Sequence, residues 1–134
     1  MVKEELLKRA WKAMENAYAP YSNFHVGACV LCRDGQFYIG ANIENAAYGV
    51  TICAERNALF AAYSNGQRKD DIVALAIVSD GERIATPCGA CRQVISELIS
   101  RSAPIYLASK SEQLDTNIQE LLPMSFSDED LNHV

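Results

Sequence analysis

Apolar side chains recur along the chain with helical spacing first and strand spacing next. Residues 3–18 carry them at a helical period, and a proline two positions later ends the segment. Two runs with strand character, 26–32 and 36–41, flank a turn at Asp34-Gly35. An Asp-Gly pair between two apolar runs is a strong β-hairpin signal. The first third of the chain therefore predicts a helix followed by a hairpin.

The rest of the chain alternates helices and strands. Good helix formers fill 52–63, and a continuous apolar run at 72–78 has the length of a strand buried on both faces. A second helix is predicted after Pro87 and a short strand at 105–108, whereas the segment after Ser109 has no clear period. The order α-β-β-α-β-α-β predicts an α/β fold, with a central mixed β-sheet flanked by helices on both faces.

Length and charge narrow the classes of function. The 134 residues predict one domain, 1–134, with a single hydrophobic core. No apolar run has the length of a membrane span, and the first residues lack the apolar stretch of a signal peptide, so we expect a cytoplasmic protein without a membrane partner. The net charge is −5, and Lys and Arg form no cluster. Because phosphate backbones are bound by clustered basic residues, we expect a small neutral substrate and no nucleic acid.

Five cysteines are an odd count, and in a reducing compartment cysteines serve metal binding or catalysis more often than disulfides. Three of them lie in two short segments, Cys53-Ala54-Glu55 and Pro87-Cys88-Gly89-Ala90-Cys91. A structural zinc site has four protein ligands, whereas a catalytic site has three and keeps the last position for water. The cysteines of these segments are therefore predicted to hold one catalytic Zn²⁺ per chain.

Both segments open a predicted helix, and helix N-termini stabilise thiolates through their free N–H groups and dipole. Cys88 and Cys91 are three apart and share one helix face. Cys53 and Glu55 are two residues apart. Their side chains can point to one place only in the first turn of a helix, where side chains surround the axis and can meet just beyond the helix end. A helical glutamate is most often solvent-exposed, but the position of Glu55 beside a ligand favours a carboxylate that moves protons for an activated water.

Three thiolates around Zn²⁺ leave a net charge of about −1, which weakens the metal as an activator of water. A cation beside the sulfurs would withdraw part of that charge. Arg56 and Arg92 are the candidates from their positions beside Glu55 and Cys91. We favour Arg56 as a donor to a cysteine sulfur, with a solvent-exposed helical arginine as the alternative.

A second C-x-x-C pair, Cys29 and Cys32, has ligand-like spacing and could complete a closed four-cysteine site in a non-enzymatic zinc module. In a strand, however, an odd spacing sends the two side chains to opposite faces. Cysteine is also a common small core residue, so we predict two buried core thiols. The two histidines, His25 and His133, are unpaired in the sequence and are not predicted to be ligands.

The pattern C/H-x-E followed by P-C-x-x-C is typical of zinc-dependent base deaminases. Further segments extend the likeness over nearly the whole chain: Asn42-Ile43-Glu44-Asn45, Tyr48-Gly49-Val50-Thr51-Ile52-Cys53-Ala54-Glu55-Arg56, Pro87-Cys88-Gly89-Ala90-Cys91-Arg92-Gln93, and Leu121-Leu122-Pro123 followed by Phe126. On these segments the chain closely resembles the cytidine deaminases of the small, homotetrameric, three-cysteine zinc type.

The resemblance implies a three-layer fold and a homotetramer with shared active sites. It also implies these roles: Cys53, Cys88 and Cys91 bind zinc; Glu55 shuttles protons; Asn42 and Glu44 hold the ribose hydroxyls; Phe24 lines the base pocket; the Ala54 backbone contacts the pyrimidine edge; Ala46, Tyr48 and Phe126 reach a neighbouring subunit's site. Without the resemblance, Asn42 and Glu44 suit a polar strand end equally well, and Phe24 and Phe126 are ordinary core aromatics.

The implied reaction is hydrolytic deamination of cytidine and deoxycytidine to uridine and deoxyuridine, with release of ammonia, in pyrimidine salvage. A deaminase of a nucleoside-like antibiotic such as blasticidin S is the nearest alternative, and the segment 42–45 argues for a nucleoside instead. Glu55 and the three-thiol count disfavour the non-enzymatic zinc module. The net negative charge of the chain disfavours a deaminase that acts on polynucleotides. A cysteine ligand where such enzymes more commonly carry histidine disfavours it as well.

Overall fold

The computed structural model describes residues 2–132, and within them the chain is built on a five-stranded mixed β-sheet. The strands are β1 Val26–Cys32, β2 Phe37–Ala41, β3 Ile72–Ser79, β4 Ile105–Ala108 and β5 Gln113–Thr116. The helices are α1 Val2–Met14, α2 Ala54–Ser64, α3 Gly89–Leu98, α4 Ile118–Leu121 and α5 Asp128–Asn132. The strand order is β2-β1-β3-β4-β5, with β3 and β4 parallel and the other neighbours antiparallel.

Helices cover both faces of the sheet, which confirms the predicted fold class. Helix α1 packs on one face over β1, β3 and β4, while α2 packs on the other face and contacts α3. The alternation along β1 separates Cys29, which lies in the α1 layer, from Cys32, which lies in the layer of α2 and α3. Both thiols are buried and free, so the two core thiols predicted from strand spacing are confirmed.

Helix α1 ends at Met14, and the prediction that it extends to residue 18 is wrong. Tyr18 instead pairs with the chain that follows β2: its N–H donates to the carbonyl of Asn42 at 2.9 Å, and its carbonyl accepts from the N–H of Glu44 at 2.8 Å. These two long-range hydrogen bonds satisfy the backbone groups of Tyr18 in place of further helical hydrogen bonds. The pairing also brings the segment after Tyr18 beside Glu44.

Helix α2 begins at Ala54 rather than at residue 52, because Ile52 exchanges two backbone hydrogen bonds of 3.0 Å with Ile43. Helix α3 ends at Leu98, so Ile99 lies just beyond it in extended conformation. The sequence pattern did not reveal β5, α4 or α5, which are short and carry few apolar residues.

Among residues 2–132, no helix is long and apolar enough to cross a membrane. His133 lies outside the described residues.

Two glycines set how closely the helices approach the sheet. A Cβ on Gly27 would lie 2.1 Å from the carbonyl oxygen of Ala10 in α1. A Cβ on Gly40 would lie 2.5 Å from the backbone nitrogen of Ala58 and 2.6 Å from the carbonyl oxygen of Ala54, both in α2. Only glycine permits these backbone contacts, so Gly40 determines the height of the α2 N-terminus above the sheet.

Candidate active site

The N-termini of α2 and α3 meet on one face of the sheet and bring three cysteines together. Cys53 is the N-cap of α2, Cys88 is the N-cap of α3, and Cys91 lies in the first turn of α3. Their Sγ atoms all lie within 4.8 Å of one another. Sulfurs around a tetrahedral zinc lie about 3.8 Å apart, given Zn–S bonds of about 2.3 Å, so this donor set fits one Zn²⁺.

The electrostatics of the thiols also fit a bound cation. The Cys91 thiol donates to Cys53, and with the nearby guanidinium of Arg56 it lowers the pKa of Cys53 to about 5. The same contact, burial and the nearby Glu55 raise the pKa of Cys91. Without a metal, Cys53 and Cys91 are therefore expected to share one proton, because two adjacent thiolates repel each other. A divalent cation would displace that proton, as metal binding to thiols generally does.

The two arginines beside the cysteines have different partners. Nη2 of Arg56 lies 3.6 Å from Sγ of Cys53, the geometry of a weak hydrogen bond to sulfur. Arg92 donates to three oxygens instead: the carbonyl of Pro87 at 2.7 Å, the carbonyl of Leu121 at 2.6 Å and Oγ1 of Thr86 at 2.9 Å. Arg56 is thus placed to donate a hydrogen bond to the sulfur of Cys53 and to offset its negative charge. Arg92 instead connects the turn before Cys88 to the C-terminal segment.

Glu55 lies in the first turn of α2 with only 5% of its surface exposed. Burial raises its pKa to about 7, because the charged carboxylate loses hydration and also faces the negative charge of Cys53. A carboxyl group with a pKa close to neutrality can both accept and donate a proton at physiological pH. Its position and its pKa both suit a proton carrier.

Cys53, Cys88 and Glu55 border one cavity of about 260 Å³. Ligand pockets commonly measure about 300–1,000 Å³, so this space is of the size that holds one small molecule. Four of the predicted substrate-binding residues line it together with Cys53, Glu55 and Cys88: Phe24, Asn42, Glu44 and Tyr48. The cavity therefore brings the predicted chemical groups and most of the predicted binding residues to one place.

Asn42 and Glu44 are both buried and hydrogen-bonded. Asn42 donates through Nδ2 to the carbonyl of Phe24 at 2.8 Å and accepts at Oδ1 from the N–H of Val26 at 2.9 Å. Glu44 accepts from the hydroxyl of Ser22 and from two backbone N–H groups, and the Ser22 hydroxyl contributes most to holding its pKa below the ordinary value. Glu44 is therefore a charged acceptor at the cavity, and each side chain retains further hydrogen-bonding capacity.

Residues 1–107 match the family model described as the cytidine and deoxycytidylate deaminase zinc-binding region. The chain belongs to this family. The chain is 50% identical over 133 residues to a protein named cytidine deaminase from Halalkalibacterium halodurans, covering 98% of this chain and 99% of that one. It is also 50% identical over 131 residues to a cytidine deaminase from Sporosarcina psychrophila, covering 97% and 95% of the two chains.

The fold is likewise that of solved members of the family. The crystal structure of cytidine deaminase from Burkholderia pseudomallei superposes with a TM-score of 0.90 at 42% identity, covering 94% of this chain and all of that chain. A structure of cytidine deaminase from Mycobacterium tuberculosis superposes with a TM-score of 0.80 at 35% identity, covering 94% of this chain and 98% of that chain. Family membership and the sulfur cluster together establish a zinc site in this chain.

Three of the predicted substrate-binding residues do not line the cavity of their own chain. Ala54 is packed in the core at the start of α2, and Ala46 is exposed. Phe126 is 58% exposed, and its carbonyl accepts from Nε2 of Gln93 at 3.0 Å. Tyr48 borders the cavity but is 79% exposed. In the described part of the chain, the side chains of Tyr48 and Phe126 are thus largely exposed and available for further contacts.

Sequence reasoning missed six residues that line the cavity: Ser22, Val26, Thr51, Ile77, Ala85 and Thr86. Ser22 could not be found locally, since its contact with Glu44 spans 22 residues of chain. Thr86 had a usable signal, because it directly precedes the Pro87-Cys88 motif. The apolar members are strand and loop residues whose orientation depends on the packing of the sheet.

Proposed function

We propose that this chain catalyses the zinc-dependent hydrolytic deamination of cytidine and deoxycytidine, producing uridine or deoxyuridine and ammonia. The observation that carries this conclusion is a buried carboxyl group, Glu55, in the turn beside three clustered thiols, with both opening into one small cavity. Relatives at 50% identity over nearly the whole chain are named cytidine deaminases. A role in pyrimidine salvage agrees with this reaction.

Cys53, Cys88 and Cys91 would hold the metal, and Zn²⁺ in such a site supplies a Lewis acid that makes a water molecule more acidic. Glu55 accepts one proton from the attacking water and delivers it to N3 of the base while the water oxygen bonds to C4. It then carries the second proton to the amino group, which leaves as ammonia. Arg56 withdraws negative charge from the sulfur of Cys53.

The substrate is held by other groups that line the cavity. The carboxylate of Glu44 and the amide of Asn42 accept and donate hydrogen bonds to the ribose hydroxyls, and Ser22 fixes the orientation of Glu44. Phe24 borders the base. A contact between the pyrimidine edge and the backbone of Ala54 would require the start of α2 to shift, because Ala54 is fully buried. A nucleoside satisfies these polar groups better than free cytosine, which has no sugar.

We also propose the assembly and location. Residues 1–134 form one domain, four copies form a homotetramer, and Ala46, Tyr48 and Phe126 of one subunit reach the site of another. The exposure of the Tyr48 and Phe126 rings supports this arrangement. A cytoplasmic location suits the site, because a reducing compartment keeps the three thiols available for metal. No nucleic acid or membrane is expected as a partner.

Direct assay of the purified zinc-loaded protein tests the substrate class. Ammonia release is measured with cytidine, deoxycytidine, cytosine, cytidine monophosphate, adenosine and blasticidin S at equal concentrations. We expect the first two to react and the other four to react poorly. A preference for blasticidin S would replace the proposed function with that of an antibiotic deaminase, and no reaction with cytidine or deoxycytidine would remove it.

A further inference from the structure

His25 and Asp80 form a linked pair beside the cavity. Nδ1 of His25 lies 2.6 Å from Oδ2 of Asp80. The N–H of His25 also donates to Oδ1 of Asp80 at 3.1 Å, and the N–H of Asp80 donates to the carbonyl of His25 at 3.1 Å. Three contacts therefore connect two segments that are 55 residues apart in the chain.

The two segments that this pair connects form walls of the cavity. His25 lies between Phe24 and Val26, which both line the cavity, while its own ring does not. Asp80 directly follows β3 and begins the loop that reaches the cavity with Thr86 and Cys88. The two walls also lie close together beside the pair. The ring of Phe24 lies so near Gly81 that a Cβ added there would be 3.4 Å from its Cε1.

We propose that His25 is a positioning residue for the reaction: when protonated, its ion pair with Asp80 holds the Phe24 wall against the loop from 80 to 88 and strengthens the binding of a pyrimidine nucleoside. This inference rests on the proposed function and adds a pH-dependent element to it. His25 touches no reacting atom in this assignment, and it acts through Phe24.

The charges around His25 give the direction of the pH dependence. Burial raises the pKa of Asp80, but the hydrogen bonds from His25 outweigh burial and keep that pKa below the ordinary value. The second nearby carboxylate is Glu44, whose pKa is lowered mainly by Ser22 and further by the charge of His25. Both carboxylates stay charged near neutral pH and would face an imidazolium at His25. Charge-assisted hydrogen bonds are the stronger ones, so the contact between His25 and Asp80 is stronger when both side chains carry a charge.

The test uses the zinc-loaded Glu55→Gln protein, which binds substrate without the proposed proton carrier and lacks the titration of Glu55 itself. The dissociation constant of cytidine is measured by calorimetry from pH 5.5 to 8.5, with His25 intact and with His25→Gln. Glutamine can still donate to Asp80 but does not titrate. We expect the ratio of the two dissociation constants to change about two- to fivefold across this range, the size expected of a half-exposed ion pair. Cytidine should bind relatively tighter to the His25 protein at low pH.

Three further variants complete the design. Asp80→Asn should remove the same pH dependence, and combining it with His25→Gln should add little. His133→Gln removes the other histidine of the chain and should leave the ratio unchanged. A ratio that is constant with pH, or a loss of thermal stability at every pH without a change in cytidine affinity, would overturn the proposal. Failure of cytidine to bind at any pH would instead remove the proposed function, and the inference with it.

Discussion

At the scale of single residues, Glu55 is the group that separates a catalytic site from a simple metal site. Glu55→Gln keeps the shape and removes the proton carrier, so zinc content and folding should persist. Loss of general acid–base catalysis should lower kcat by at least about 10²–10⁴, because Glu55 moves a proton twice in each turnover. Rates with cytidine and zinc analysis of the same sample check this. Glu97→Gln, on an exposed position of α3, is the matched control and should keep wild-type turnover.

The five cysteines divide into two sets with different expected effects. Cys53→Ala removes one of three clustered donors and should lose zinc and activity together. Cys29→Ala and Cys32→Ala remove buried core thiols on opposite faces of β1, so each should lower thermal stability while keeping about one zinc per chain. Metal analysis after gel filtration decides the outcome. Zinc loss from either β1 variant would contradict the assignment of ligands.

The site residues differ in how far the sequence alone could identify them. Cys53, Glu55 and the C-x-x-C pair follow a local motif whose geometry depends only on two helix starts. Arg56 could be proposed from charge balance, but its preference over Arg92 became visible only through their hydrogen bonds. Contacts such as that of Ser22 with Glu44 depend on tertiary pairing, and no local pattern encodes them.

At the scale of elements, the position of α2 over the sheet determines where Cys53 and Glu55 lie. Gly40→Ala would place a Cβ 2.5–2.6 Å from backbone atoms of α2 and force the helix to move. Overpacking of this kind costs about 1–3 kcal/mol of unfolding free energy. A displacement of about 1 Å at a catalytic group can reduce the rate about 100-fold. We therefore expect lower stability and a lower kcat for each zinc-loaded molecule.

Gly27→Ala is the matched control for this variant. It introduces the same methyl group under α1, on the face of the sheet opposite to the cysteine cluster. Thermal stability should fall, while kcat per folded, zinc-loaded molecule should stay close to that of the unchanged protein. Equal losses of kcat in both variants would show that the rate follows general stability rather than the position of α2.

Elements that fill the core were predicted well, and their ends were predicted less well. β1 and β4 have the predicted bounds, because continuous apolar runs of strand length had a single interpretation. The ends of α1 and α2 differ because Tyr18 and Ile52 pair with the segment after β2, a long-range contact that outweighs helix propensity. The segment after Ser109 carries short elements with few apolar residues and no apolar period, so the sequence pattern did not identify them.

At the scale of the whole molecule, the proposed homotetramer would complete the cavity with residues of a second subunit. The cavity is lined by residues of β1, β3 and the segment after β2, and Tyr48 at its border is largely exposed. Electrostatic stabilisation is greater in a site from which water is excluded. Phe126 is held near α3 through Gln93, outside the cavity of its own chain, and its exposed ring is available to a neighbour.

Mixing two impaired proteins, Glu55→Gln and Phe126→Ala, distinguishes a shared site from a self-contained one. Phe126→Ala should lower kcat/KM about 5- to 150-fold, because stacking of an aromatic ring on a base contributes about 1–3 kcal/mol. Its thermal stability should change little, since the ring is exposed. After subunit exchange with Glu55→Gln protein, some sites combine an intact Glu55 from one chain with an intact Phe126 from another, and activity should exceed the sum of the two separate proteins. Exchange verified by mass spectrometry with purely additive activity would place Phe126 in its own chain's structure instead.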